Sequence, residues 1–217
     1  AIVIAGVFDL LDGRIARLTN STSEFGAQYD SMSDLCSFGF APAFLAYFWA
    51  MEPYRRLGWL GAFLFVVCAA LRLARFNVQS ESVEKEYFQG IPSPCAAGLV
   101  IGAVLLHQEL FGAGVLESAV FRPVFTAMVY FTALLMVSNV RFRTFKTLNL
   151  KSYRPFRLLV LAALAITFIM MSPELSIFVG MYGYLGLGIY ETIFILRKKV
   201  DLEEEEEEEP HISIVGS

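Results

Sequence analysis

Four aspartates, Asp9, Asp12, Asp30 and Asp34, stand in the stretch "DLLDGRIARLTNSTSEFGAQYDSMSD". Carboxylates this close raise one another's pKa unless a cation neutralises them, and the simplest such cation is a metal. Asp9 and Asp12 are spaced i and i+3, and Asp30 and Asp34 i and i+4, so on two helices each pair shares one face. The loop "LTNSTSEF" between them would turn the two faces toward each other. An all-oxygen donor set suits Mg²⁺ or Mn²⁺, hard cations that keep some water and accept phosphate oxygens. Gly13 and Ala16 keep bulk away from the acids, Gly26 lies one turn before Asp30, and Arg17 offers a planar fork for phosphate. A small-walled slot with metals and an arginine is what a nucleotide diphosphate requires.

Two other readings compete with this one. An ion-pair network would use Arg14 and Arg17 to neutralise the acids, but two charges cannot satisfy four carboxylates, and such a network has no need of small residues. A proton or cation pathway is the stronger rival, because transport proteins also carry acids inside the membrane.

The elements that must hold these residues are apolar helices. The 217-residue chain is 56% hydrophobic and 18% charged, with a mean hydropathy of +0.58, well outside the usual range of soluble domains. Seven apolar segments, at roughly 1–18, 27–50, 57–77, 93–111, 117–140, 156–172 and 174–196, approach the ~20 residues needed to cross a bilayer. The expectation is an all-α polytopic transmembrane bundle of about seven spanning helices. Because "AIVIAGVF" opens in the middle of an apolar run, one further N-terminal helix is expected to be missing. Residues 1–199 form the expected membrane domain. The acidic residues 200–217, beginning with Asp201 and Glu203 to Glu209, form an expected disordered tail without a catalytic role.

Without those eight tail acids, the body has 13 acids against 17 Lys and Arg, a balance suited to phosphates and anionic lipid. If the first segment ends in the cytoplasm, alternation leaves only Arg55, Arg56 and Arg122 outside, which matches the positive-inside pattern. The expected location is therefore a multi-pass membrane protein with its acids at the cytoplasmic face, in the plasma or inner membrane if the source is bacterial. Cys36, Cys68 and Cys95 lack CxxC spacing and read as packing residues, and His107 and His211 each stand alone. Gly180, Gly183, Gly186 and Gly188 fall in one helix, whose small-residue face suits packing within the bundle, or otherwise in a dimer.

The acidic stretch resembles the CDP-alcohol phosphotransferase family, whose motif DxxDGxxARx₈GxxxDxxxD is matched at Asp9, Asp12, Gly13, Ala16, Arg17, Gly26, Asp30 and Asp34. "ALRLARFNV" at 70–78, "FQGIPSPCAAG" at 88–98 and "LMVSNVRFRTFK" at 135–146 are similar to the family's phosphatidylserine synthase branch. The resemblance implies transfer of a phosphatidyl group from CDP-diacylglycerol to L-serine with release of CMP. It also implies a pair of Mg²⁺ or Mn²⁺ ions on Asp9, Asp12 and Asp30. Asp34 would complete that metal site and act as general base. Gly13, Arg17 and Gly26 would line the CDP pocket, and the family usually works as a homodimer, here among membrane lipids and with no nucleic acid partner.

The chemistry fits that implication. A serine hydroxyl is a weak nucleophile, so a carboxylate within reach should take its proton. With no Ser–His or Cys–His pair evident, direct displacement is the favoured route. Serine carries an ammonium and a carboxylate, so its pocket needs a cation and hydrogen-bonding groups; the candidates are Arg75, Asn77, Ser93, Asn139 and Arg141, with Arg72 and Arg143 read equally well as anchors on lipid head groups. Pro92 and Pro94 are also explained as helix starters. Glycerol 3-phosphate or inositol phosphate as acceptor would demand more cations near Asp34.

Overall fold

The apolar segments fold as helices in a computed structural model that describes residues 24–80, 87–112, 120–143 and 155–208. The first segment, with Asp9, Asp12, Gly13, Ala16 and Arg17, lies outside the described residues. Helix α1 (Glu24–Asp34) runs directly into a widened turn at Leu35–Phe40. It continues through α2 (Ala41–Ala46), a second widened turn at Tyr47–Met51 and a 3₁₀ turn at Glu52–Tyr54. Such i→i+5 turns rotate every later side chain around the axis and often mark functional positions. Asp34 is the last residue before the first of them.

Arg55, at φ 45°, reverses the chain into α3 (Arg56–Ser80). Strand β1 (Tyr87–Gln89), α4 (Ser93–Phe111), α5 (Phe121–Val137), β2 (Arg141–Arg143), α6 (Pro155–Met171) and α7 (Pro173–Glu208) follow. Helix α3 packs along α5, and α4 along α7. The core between them holds Met51, Phe65, Leu99, Val100, Val129 and Met136, all essentially inaccessible. Outside, Phe40, Phe44 and Phe48 are exposed and stack at helical spacing, as do Trp59 and Phe63. Exposed apolar rings in ladders of this kind mark a surface made for lipid.

Three helical runs are long and apolar enough to cross a membrane, Gln28–Tyr54, Arg56–Val78 and Ser93–Phe111. A fourth span is present if Ala163–Met171 and Pro173–Thr192, bent by 118° at their junction, count as one. These helices make the chain an integral membrane protein. The expected helical bundle is therefore observed, whereas the described residues give three or four spans by length and composition in place of about seven. One reason is that α5 is apolar but only 17 residues long.

The loops expected at 78–92 and 141–155 add a feature absent from an all-α expectation. Strands β1 and β2 pair antiparallel, Tyr87 with Arg143, Phe88 with Phe142 and Gln89 with Arg141. The division expected at 199/200 falls inside α7, whose backbone stays helical to Glu208; residues 209–217, with His211, lie outside the described residues. Three of the four expected glycines of α7 point away from the bundle, since a Cβ at Gly180, Gly183 or Gly186 would meet nothing within 4 Å, whereas Gly188 is buried. Contact between α4 and α7 is made by Gly98 against Met181 instead. The cysteines are free thiols, Cys68 buried, Cys95 half-buried and Cys36 exposed. His107 is buried beside the rings of Trp49 and Phe121.

Gly58 lets the first turn of α3 lie on the backbone of Met51, because a Cβ there would collide with the Met51 carbonyl oxygen. Backbone has little room to yield, so Gly58→Ala should destabilise the protein by about 1–3 kcal/mol. A lower apparent melting temperature in detergent, read by fluorescence-detected size exclusion, checks this; an unchanged melting temperature would contradict the packing.

Candidate active site

The site grows from the C-terminal end of α5. A helix leaves its last carbonyls without intrahelical donors, and inside a membrane other groups must supply them. Here Ser138 N and Oγ both donate to that end, N to Leu134 O at 3.0 Å and Oγ to Leu135 O at 2.8 Å. From the preceding loop, Ile91 N donates to Leu135 O at 3.3 Å and Gly90 N to Val140 O at 2.8 Å. Gly90 sits at φ 78°, and a Cβ there would strike the Met136 carbonyl oxygen, so only glycine fits. Arg75 Nη1 crosses from α3 to donate to Val137 O at 3.2 Å.

The same end of α3 reaches α1 and α4. Asn77 Nδ2 donates to Ser31 Oγ at 2.9 Å, fixing α3 to the helix that carries Asp30 and Asp34. Arg72 Nη1 donates to Ser93 Oγ at 3.4 Å, joining α3 to the first residue of α4. Arg72 and Ser93 are buried at 8% and 1% exposure. Asp34, Cys95 and Tyr184 lie within electrostatic range of the Arg72 guanidinium. The stretches "RLARFN", "GIPSP" and "VSNVRF", far apart in sequence, therefore meet beside the second half of the acidic motif.

Of the expected site residues, Asp30 and Gly26 are exposed on α1, and Asp34 is half-buried. Arg75 and Asn77 are half-buried and each is bonded to the protein. Asn139 is exposed in the turn after α5, and Arg141 pairs its backbone with Gln89 in the ribbon. Asp9, Asp12, Gly13 and Arg17 lie outside the described residues. Among the described residues no group of three or more His, Cys, Asp or Glu could hold a metal ion. Asp30 and Asp34, two hard oxygen donors four residues apart on one helix, fit half of the expected donor set in type and spacing.

Arg72 departs from the reading as a head-group anchor, because burial removes it from the head-group region. The clue was its spacing three residues before Arg75, which places both on one side of α3. Ser31 and Tyr184 carried no comparable signal. A separate cavity of 660 Å³, lined by Tyr47, Glu52, Pro53, Arg55, Arg56 and Trp59, lies at the other end of α3 and takes no part in this cluster.

Residues 1–137 match the CDP-alcohol phosphatidyltransferase family. The chain belongs to that family. The CDP-diacylglycerol–serine O-phosphatidyltransferase of Helicobacter pylori is 40% identical over 200 residues, covering 91% of this chain and 80% of that protein. The enzymes of that name from Mycobacterium leprae and Methanocaldococcus jannaschii are 32% and 35% identical, covering 85% and 65% of this chain and 61% of each relative. Members of the family generally use divalent metal ions.

The Asn77–Ser31 bond should be measurable as a coupling. In a double-mutant cycle of Ser31→Ala and Asn77→Ala, the two changes should be non-additive by about 1 kcal/mol. Thermal or denaturant unfolding in detergent reads it, and strict additivity would argue against the bond.

Proposed function

We propose that this chain transfers the phosphatidyl group of CDP-diacylglycerol to L-serine, forming phosphatidylserine and CMP. The observation that carries the reading is the convergence of Asp34, Arg72, Ser93, Arg75 and Asn77 at one end of α3. It occurs in a chain 40% identical to an H. pylori enzyme named for that transfer.

In this reaction the serine hydroxyl oxygen attacks the phosphorus that bears the diacylglycerol. A new O–P bond forms, the phosphoanhydride bond breaks, and its electron pair leaves with CMP. Asp34, half-buried at the end of α1, accepts the hydroxyl proton as attack proceeds. Asp9, Asp12, Asp30 and Asp34 would hold two Mg²⁺ or Mn²⁺ ions, which when bound supply charge neutralisation on the pyrophosphate. Gly13, Arg17 and Gly26 line the CDP pocket. Asn139 and Arg141 belong to the acceptor side with Ser93, while Arg75 and Asn77 position it through their bonds to Val137 and Ser31.

In the proposed topology the chain crosses the membrane seven times, with this site at the cytoplasmic face. A turn of 118° at the α6–α7 junction sends the chain back toward the side it came from, which favours two passes over one bent span. The distribution of Lys and Arg supports the orientation. A homodimer through the open Gly180, Gly183 and Gly186 face of α7 fits the close approach that small residues permit in lipid. Residues 1–199 act as the membrane domain and the acidic residues 200–217 as a tail without a catalytic role.

Purified protein supplied with Mg²⁺ or Mn²⁺, CDP-diacylglycerol and a panel of alcohols should release CMP with serine and not with glycerol 3-phosphate or inositol phosphate. Equal release with glycerol 3-phosphate would reject the acceptor. Asp34→Asn should lower kcat by about 10²–10⁴-fold while the protein stays folded, and chelation of divalent ions should stop release. A variant that kept its rate would remove Asp34 from the base role.

A further inference from the structure

We infer that Arg72 is the carboxylate receptor of the acceptor subsite, holding the α-carboxylate of the amino acid in its planar guanidinium fork beside Asp34. The inference rests on the serine-transferase reading and adds the residue that would select an amino acid over an amino alcohol. Arg72 is 8% exposed within a helix long and apolar enough to span a membrane. Among the described residues its Nε has no hydrogen-bond partner, and the bond from Nη1 to Ser93 Oγ, at 3.4 Å, is close to the limit for such a contact. A guanidinium stays charged in any protein environment and presents five N–H donors. Burying it with one neutral acceptor at long range is costly, and a membrane protein keeps such a charge where a pathway or ligand uses it.

The surroundings indicate which ligand. Asp34, Cys95 and Tyr184 are electrostatic neighbours of Arg72, so an anion held with Ser93 on its guanidinium lies within electrostatic reach of the proposed base. In serine the carboxylate and the hydroxyl are carried on adjacent carbons, so holding the first delivers the second toward the neighbouring carboxylate. The donor's phosphates belong to the acidic motif and its metals, which leaves the acceptor as the reactant with a carboxylate to place. The other arginines differ. Arg75 has an Nη committed to Val137 O. Arg122 also has an unpartnered Nε, but it lies in the first turn of α5, about 20 Å along that helix from Val137.

The test compares L-serine with L-serinamide, which keeps the hydroxyl and the amine but lacks the anion, using CMP release from the full chain with CDP-diacylglycerol and a divalent ion. Wild type should prefer serine. Arg72→Gln should reduce that preference, as a ratio of kcat/KM, by about 10- to 100-fold, mainly through KM for serine, with KM for CDP-diacylglycerol unchanged. Arg72→Lys keeps the buried charge without the fork; it should fold and still lose a large part of the preference. Serine turnover by wild type with an unchanged preference in both variants would overturn the assignment alone. A rise in KM for CDP-diacylglycerol in place of serine would overturn it in favour of a donor contact. Absence of any CMP release with serine from wild type would overturn the transferase reading and this assignment together.

Discussion

The carbonyl groups at the end of α5 must find donors from outside their own helix, and the arrangement of the site follows from how they do. Arg75 from α3, Ile91 from the loop before α4, and Ser138 from the following turn share this work, and Gly90 adds a bond to Val140 O just beyond the helix. In water any of these bonds would be replaceable; where the helix end is buried against its neighbours, an unmet carbonyl costs about 1–3 kcal/mol. Satisfying the helix end therefore draws three distant stretches together, and Arg72, Ser93 and Asn77 arrive beside Asp34 with them.

Much of this was legible in the sequence, for identifiable reasons. The helices at 27–50, 57–77 and 93–111 were readable because unbroken apolar runs of that length have few other stable forms. The chemistry was readable because carboxylates in such a setting require explanation, and eight motif positions at fixed spacing provide one. Less visible was how apolar length converts into crossings. Helix α5 is only 17 residues long, and although the break between 156–172 and 174–196 was readable, the 118° angle at Ser172–Pro173 is not recorded by hydropathy. The ribbon between β1 and β2 was hidden for another reason: three residues a side have no detectable alternation, and their pairing depends on α5 bringing them together. By sequence the glycines of α7 suit packing within the bundle first, whereas Gly180, Gly183 and Gly186 face outward and Gly188 is buried.

Arg72 shows where composition-based reasoning stops. At the level of sequence Arg72 reads equally well as an acceptor-pocket residue and as an anchor, because many arginines near helix ends place their charge at the membrane surface. Whether the side chain goes out to the head groups or in toward the neighbouring helix depends on what faces it. Ser93, at the start of α4, provides a small polar surface there, and the charge goes in. The cluster around Arg72 is accordingly built from positions that carry little individual signal and become recognisable only through their partners.

The ribbon also bears on the order in which the molecule is made. Strand β1 precedes α4 and β2 follows α5, so Tyr87 to Gln89 must wait for two further helices to be synthesised before their pairing partners exist. Until Arg143 has left the ribosome, the loop ahead of α4 has no strand to hold it and the α5 end that will dock Gly90 is not in place. The cluster around Ser93 and the end of α5 is thus completed late in synthesis, after the second half of the acidic motif has been made, so its parts cannot act together until the bundle is assembled.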